Sequence, residues 1–260
     1  MRYMLKPVAL VAVTVLAYAG GAAAQTDFEW RGQMAPGQSI EIKGINGNIR
    51  AIVARGAEVE VTATKSARRS NPADVRFEVV PHQSGVTICA IYPAPQGQPA
   101  NECRAGAGGR MSSKNNDTAV DFIVRVPAGI GFVGRTVNGD VGGESLPGDA
   151  EGHSVNGSIR LAAAGLTTAT TVNGSINATM GRADWPGAAN FKTVNGDITL
   201  KLPAAVSTEL KAQLVNGRIT SELPVSVIGR MEPRRLEGTI GSGGRQLALS
   251  TVNGNITLQK

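Results

Sequence analysis

The sequence predicts an all-β protein whose larger, C-terminal part is a solenoid of short stacked coils. Three observations lead to this prediction. An Asn-Gly pair with apolar neighbours recurs at short intervals, and strict alternation of polar and apolar residues marks strands nearer the N-terminus. The 33 glycines and the 4% of aromatic residues are typical of a chain with many turns and a core of small aliphatic side chains. No long amphipathic helical pattern competes with these signals.

The repeat is an apolar residue, Asn, Gly, a variable residue and a second apolar residue, as in Val172 to Ile176. From Gly139 onward its glycines recur every 16 to 22 residues, if Leu236 to Ile240, with Glu in place of Asn, is counted as a copy. This period is too short for a helix pair or a propeller blade and suits one coil of two or three short strands. The predicted turns are Asn46-Gly47, Asn138-Gly139, Asn156-Gly157, Asn173-Gly174, Asn195-Gly196, Asn216-Gly217 and Asn253-Gly254.

Stacked coils would align equivalent residues into ladders, with neighbouring coils about 4.8 Å apart. We expect the residue before Asn and the residue two after Gly to face the core, so that Val172 and Val194 share one internal ladder. A meander of hairpins is the alternative, because Asn-Gly is also a strong hairpin signal. The short flanks and the second apolar run between repeats favour the solenoid.

The N-terminal part has longer strand patterns, which we interpret as antiparallel strands that extend or cap the first coils. We therefore predict one domain, residues 25–260, with an N-terminal β-rich part at 25–134 and regular coils at 135–260. The predicted strands of the first part are 39–42, 58–64, 75–80, 85–92 and 118–126.

Residues 1–24 have the pattern of a secretory signal peptide: a basic start, an apolar run over 8–17, and Ala22-Ala23-Ala24 before the expected cleavage. We expect a mature chain from Gln25 with a net charge of +4, exported to the periplasm, the cell surface or the medium. The later sequence lacks an apolar stretch of about 20 residues, so we predict no transmembrane segment. The mild, dispersed charge argues against nucleic acid as a partner.

Export also bears on the two cysteines, Cys89 and Cys103. In an oxidising compartment a disulfide between them is the expected state. The alternative, a metal or redox pair, is weak because two thiols without a nearby histidine make a poor zinc site.

The sequence offers no catalytic, cofactor-binding or metal-binding set. Asp140 and Asp197 follow the repeat glycine three coils apart, about 14 Å along the stack, whereas a glycosidase pair needs about 5–9.5 Å. His82 and His153 are interpreted as surface or loop histidines. The densest basic group of the solenoid half, Arg230, Arg234 and Arg235, is a candidate docking site for anionic envelope polymers.

Several motifs together resemble the putative-adhesin family of bacterial envelope proteins, a β-strand-repeat family. They are Phe28-Glu29-Trp30, the strand from Gly37 to Ile42, Val124 to Gly129, and Thr-Val-Asn-Gly-Asp at Thr136 and Thr193. Over about residues 28–260 this resemblance implies a right-handed, parallel β-helix-like fold. It implies no established activity and no catalytic residues.

The combined expectation is an exported, non-enzymatic envelope or surface protein with a structural or adhesive role and no cofactor. Its candidate partners are an envelope polymer, a surface glycan or a protein. Two alternatives stay open: a polysaccharide-active β-helix enzyme, and a periplasmic accessory protein of an envelope signalling system.

Overall fold

A computed structural model describes residues 28–227 and 232–260, and within these ranges the chain is all-β with a single 3-10 turn at Pro72–Asp74. The predicted signal peptide and Arg230 lie outside the described residues. The strands are β1 (Phe28–Gly32), β2 (Ser39–Lys43), β3 (Ile49–Val53), β4 (Val59–Ser66), β5 (Arg76–His82), β6 (Gly85–Ile91), β7 (Ala119–Val126), β8 (Gly131–Arg135), β9 (Val141–Leu146), β10 (Ala150–His153), β11 (Ile159–Ala163), β12 (Thr167–Thr170), β13 (Ile176–Met180), β14 (Ala188–Lys192), β15 (Ile198–Lys201), β16 (Thr208–Gln213), β17 (Ile219–Ser221), β18 (Ser226–Val227), β19 (Arg235–Ile240), β20 (Arg245–Ser250) and β21 (Ile256–Gln259).

The strands form two sheets that enclose one apolar core. Sheet A has the order β1-β4-β7-β3-β9-β11-β13-β15-β21-β17, and sheet B has the order β18-β19-β16-β20-β14-β12-β10-β8-β2-β6-β5. A regular coil consists of one strand of sheet B, an Asn-Gly turn and the next strand of sheet A. Strands of neighbouring coils pair in parallel, as β11 does with β9 and β13. The predicted solenoid is therefore confirmed, with two strands in each regular coil.

The spatial order of the coils departs from chain order at both ends of the stack. The coil of β2 and β3 lies between the pair β6 and β7 and the pair β8 and β9. The coil of β20 and β21, last in sequence, lies between β14 with β15 and β16 with β17. Accordingly Asn253 bridges Asn195 on one side and Asn216 on the other.

Antiparallel strands flank this parallel stack. Near the N-terminal end β4 pairs with β7, β1 with β4, and β5 with β6. At the opposite end β19 pairs with β16 and β18 with β19. The predicted antiparallel part thus has a counterpart near the C-terminus, while the N-terminal part also contributes parallel strands to the stack.

The degenerate copy at Leu236 to Ile240 is not a coil turn, and that prediction was wrong. These residues lie inside β19. Gly238 is needed there for close approach of the neighbouring strand rather than for a turn, since a Cβ would come 2.5 Å from the carbonyl oxygen of Ser226. Without Asn, the motif lacks the residue that accepts turn geometry and bonds to the next coil.

The core ladder two residues after Gly is as predicted. Its buried members are Ile49, Val141, Ile159, Ile176, Ile198 and Ile256, each at most 1% exposed. The ladder before Asn is different: Val172 is 38% exposed, and Val194 is partly exposed. The buried residue is instead the one before Val, as at Thr171, because side chains alternate through β12 and Thr171 continues its inward-facing set.

A buried hydroxyl at this position satisfies a backbone group of the neighbouring coil. Thr171 donates to the carbonyl oxygen of Gly157 over 2.8 Å, and Thr193 donates to that of Gly174 over 2.9 Å. Val could not supply this hydrogen bond, which explains why Thr or Ser, and not the apolar residue, faces inward.

Candidate functional site

The asparagines of the turns form a hydrogen-bonded row along one edge of the stack. The Nδ2 of Asn173 donates to the Oδ1 of Asn156 over 2.8 Å, and Asn195 donates to Asn173 in the same way. The row starts at Asn46 and ends at Asn216. Because one donor and one acceptor of each central amide are used within the row, these amides hold adjacent coils in register.

The residues after the repeat glycines form a second row. The Oδ1 of Asp140 accepts a hydrogen bond from the backbone N–H of Ser158 over 2.7 Å, and that of Asp197 accepts from Asn255 over 2.6 Å. Both carboxylates thus bond to the backbone of the next coil. Asp140 and Asp197 belong to different, non-adjacent coils of this row, so they do not form a close carboxylate pair.

The outer face of sheet B carries a charged network that sequence reasoning missed. The Nε of Arg135 donates to the Oε1 of Glu41 over 2.7 Å, and its Nη2 donates to the Oε1 of Glu151 over 2.6 Å. The Nε2 of His153 lies 2.5 Å from the same oxygen of Glu151. His82 joins through Thr87, whose hydroxyl donates to the Oε2 of Glu41 over 2.7 Å.

The two histidines, far apart in sequence, therefore meet one network and are not isolated surface groups. A signal existed: aligning the repeats backwards from Asn places Lys43, Arg135 and His153 in one column and Glu41 and Glu151 in another. The column of residues after Gly does not contain this charge pattern.

This network connects neighbouring strands of sheet B and has the properties of a structural ion-pair network. The hydrogen bond with His153, followed by the charge of Arg135, lowers the pKa of Glu151 despite its burial. That carboxylate is ionised at neutral pH and is a poor general acid. Glu41 is only 5% exposed, and both its oxygens are occupied, one of them also by the backbone N–H of Gly106.

Lys43 fastens the loop that follows Cys103 to the same face. Its ammonium group is 2.7–2.8 Å from the carbonyl oxygens of Arg104, Gly106 and Gly108. Burial lowers the pKa of Lys43. The disulfide between Cys89, in β6, and Cys103 holds the start of this loop against sheet B.

Reducing this disulfide is expected to destabilise the protein. Its sequence separation is 14 residues, and in the chain-entropy model a closed loop of about 15 residues contributes roughly 3 kcal/mol. Thermal melts with and without reductant measure the effect, expected at roughly 6–12 °C for a chain of this size. Equal melting temperatures, with complete reduction verified by mass, would contradict the prediction.

The outer face of sheet A carries a shallow groove, which we call the sheet A groove, with a volume of about 300 Å³. It crosses β9, β11, β13, β15 and β21. The groove passes over the short side chain of Ala162, which is partly exposed between two inward-facing neighbours. Polar and charged side chains line it: Glu144, Arg160, Asn177, Thr179, Thr199, Lys201 and Gln259.

A larger groove of about 1060 Å³ lies among the loops near Pro93 to Gly97. One of its charges, that of Asp117, is engaged within the loops. Asp117 accepts hydrogen bonds from the backbone N–H groups of Ser70 and Arg69, and chiefly the bond from Ser70 lowers its pKa to about 2. The guanidinium of Arg69 lies 3.9 Å from Asp117. Because its floor is made of loops and not of paired strands, this groove is less preorganised for a ligand than the sheet A groove.

The basic residues singled out from sequence are not equivalent. Arg234 is exposed in a turn, whereas the Nη2 of Arg235 lies 2.7 Å from the Oε1 of Glu237, and this hydrogen bond raises the pKa of Arg235. The structure does not describe Arg230. Much of the charge of Arg235 is therefore compensated locally.

In residues 28–227 and 232–260, no group of three or more His, Cys, Asp and Glu side chains is placed to hold a metal ion. None of the secondary structure described there is a helix of the length and apolarity needed to cross a membrane.

Residues 138–259 match the family model described as Toastrack DUF4097. No protein of curated function matches the chain. A putative cell adhesion protein from Clostridium sporogenes ATCC 15579 is 11% identical, with 90% of this chain and 99% of that chain covered and a TM-score of 0.47. A putative adhesin from Bacteroides fragilis NCTC 9343 is 13% identical, with 91% and 98% covered and a TM-score of 0.36.

Both TM-scores are below 0.5, and neither likeness carries a conclusion about this chain. The family match begins at the turn of the coil of β8 and β9 and includes the rest of the stack up to β21. It is narrower than the resemblance over residues 28–260 that the motifs predicted. The resemblance that the motifs indicate is confirmed over residues 138–259, which match the Toastrack DUF4097 model.

Proposed function

We propose that this protein is an exported, non-enzymatic protein of the bacterial envelope or surface that binds an extended partner across the outer face of sheet A. The sheet A groove is the observation that carries the proposal. It is open, with polar and charged side chains around a floor of short apolar ones such as Ala162 and Ala178. That floor is a parallel sheet held together by backbone hydrogen bonds, so the binding face is preorganised.

The carboxylates support a binding role over catalysis. Asp140 and Asp197 bond to the backbone of neighbouring coils, and Glu41 and Glu151 share Arg135. A glycosidase needs one carboxyl group with a raised pKa to protonate the leaving group. The lowered pKa of Glu151 is the opposite of that requirement.

The test is to obstruct the groove without disturbing the core. Ala162→Tyr should place a large side chain in the sheet A groove, because Ala162 faces outward between Leu161 and Ala163. Co-sedimentation of the full chain with purified bacterial envelope fragments should fall at least about tenfold, which corresponds to about 1.4 kcal/mol of binding free energy.

Ala248→Tyr is the matched control, because Ala248 faces outward in the same way on sheet B. It should bind the fragments as the wild type does, and thermal melts should verify that both variants are folded. Equal loss in the two variants, or no loss in Ala162→Tyr, would remove the outer face of sheet A from the proposal. Cleavage of envelope glycan that one Glu or Asp substitution abolishes would contradict the non-enzymatic role.

A further inference from the structure

Two exposed arginines flank a bare glycine on the outer face of sheet A. Arg50 in β3 and Arg160 in β11 are both in register with Gly142 of β9. The two arginines are thus two strands apart, about 10 Å between Cα atoms. A Cβ added to Gly142 would meet no atom within 4 Å. The glycine therefore leaves an open gap between two cationic side chains.

These charges are not compensated as other charges on the same face are. Arg125 lies 3.3 Å and Arg31 lies 3.7 Å from the carboxylate of Glu60. Among the described residues, Arg50 and Arg160 form no ion pair. The gap at Gly142 is consequently flanked by two cations without ion-pair partners, and an oxyanion can enter it from solvent. The carboxylate in the groove lining is that of Glu144, two residues further along β9.

A β-bulge lies beside this gap. Gly143 pairs with Leu161 and Leu146 pairs with Ala163, so Glu144 and Ser145 together face Ala162. Ser145 has φ of 54°. Bulges redirect side chains and interrupt regular pairing, and this one lies where the gap meets the sheet A groove.

The groove continues from Arg160 toward Lys201, two strands further along the stack. Between them it presents the hydroxyl and amide groups of Asn177, Thr179 and Thr199. The distance from β9 to β21 is four strand spacings, about 19 Å. The groove is elongated and open, with cations at intervals and hydroxyl and amide groups beside a floor that includes Ala162 and Ala178. Such a site fits an extended anionic chain better than a small apolar ligand, which needs an enclosed pocket.

We propose that this surface binds an acidic polysaccharide, with carboxylate groups of the sugar chain held by Arg50 and Arg160 across Gly142 and by Lys201 farther along the groove. Guanidinium groups suit this role because they form paired, charge-assisted hydrogen bonds with carboxylates. The inference rests on the proposed function and adds to it the chemical class of the partner.

Polygalacturonate is the probe, with neutral dextran of similar length as its control, in affinity electrophoresis of the full chain. The wild type should be retarded by polygalacturonate and not by dextran, and added salt should weaken the retardation. The double variant Arg50→Gln with Arg160→Gln should weaken binding about tenfold or more. Gly142→Glu should do the same by placing a carboxylate in the gap, where its Cβ has room.

Two further double variants match the charge change elsewhere. Lys192→Gln with Arg245→Gln removes two exposed positive charges from sheet B, and Arg234→Gln with Arg235→Gln removes the described part of the basic group near the C-terminus. Both should bind polygalacturonate as the wild type does. Equal loss in either control, or equal retardation by dextran, would overturn the assignment, as would failure of the wild type to bind polygalacturonate.

The two proposals fail separately. Ala162→Tyr could abolish co-sedimentation with envelope fragments while the variant Arg50→Gln with Arg160→Gln binds these fragments normally. In that case the outer face of sheet A remains the binding face, and the assignment of an acidic polysaccharide as the partner is wrong. If Ala162→Tyr and Ala248→Tyr behave alike, the proposed binding face itself is wrong.

Discussion

Ile176→Asp should unfold the protein or cost more than about 4 kcal/mol of stability. Ile176 is fully buried and is in register with Ile159 and Ile198 on either side. The substitution loses the burial of an aliphatic side chain and places a carboxylate among apolar neighbours that offer it no partner. Chemical denaturation followed by circular dichroism measures the loss.

Val172→Asp, only four residues away, is the control that decides the register. Val172 is 38% exposed, so the new carboxylate stays in water and the expected cost is below about 1 kcal/mol. Similar, large losses for the two variants would mean that Val172 faces the core after all. A mild Ile176→Asp would contradict the ladder two residues after Gly.

Gly174→Ala should destabilise the stack by about 3 kcal/mol or more, although it adds one methyl group. Gly174 has φ of 157°, and a Cβ would lie 2.1 Å from the carbonyl oxygen of Gly157. That oxygen belongs to the backbone of the neighbouring coil and accepts the hydrogen bond from Thr171, so it has little freedom to move. The coils would have to separate locally, with loss of bonds on both sides of the turn.

Gly142→Ala provides the comparison within the same fold. The added Cβ at this position points into open space. Its stability should stay within about 1 kcal/mol of the wild type, and the reduced freedom of the unfolded chain favours a slight gain. A Gly174→Ala variant as stable as Gly142→Ala would show that the coils are not stacked as closely as the Cβ distances indicate.

Local spacing was enough to predict the repeat unit. Asn and Gly mark the turn because each tolerates turn geometry, and the buried ladder two residues after Gly follows from strand alternation in β13 and its equivalents. The difference at Val172 has a local cause: an apolar side chain predicts burial, whereas the buried position here needs a hydroxyl to satisfy a carbonyl oxygen of the neighbouring coil.

The end of the stack explains a departure from the repeat that the sequence alone leaves obscure. In the coil of β16 and β17, Arg218 replaces the usual Asn, Asp or Ser. Among the strands of residues 28–227 and 232–260 this coil is the outermost on sheet A, where β17 pairs with β21 alone. The side chain of Arg218 therefore needs no bond to a further coil. The last coil in sequence keeps the full pattern because it has a coil on each side.

The candidate sites depended even more on the fold. Arg50 and Arg160 are 110 residues apart in sequence and become near neighbours because the coil of β2 and β3 lies directly beside that of β8 and β9. The same arrangement brings Glu41 to Arg135. Neither juxtaposition follows from the repeat period, because β4 to β7 separate the coil of β2 and β3 from that of β8 and β9 in sequence.

The sequence by itself determined the strand-and-turn unit, the buried face of the sheet A strands that follow the Asn-Gly turns, and the two cysteines available for a disulfide, because each depends on neighbours within a few residues. The tertiary structure alone decided the order of coils, the strands at the ends and the side chains that meet on the outer faces. Identical Asn-Gly turns can bond to one another in any order, so the repeat does not distinguish among possible stacks. The order of the coils depends on contacts between segments that are distant in sequence. These contacts place β6 and β7 beside β2 and β3, and they place β20 and β21 between the coil of β14 and β15 and the coil of β16 and β17.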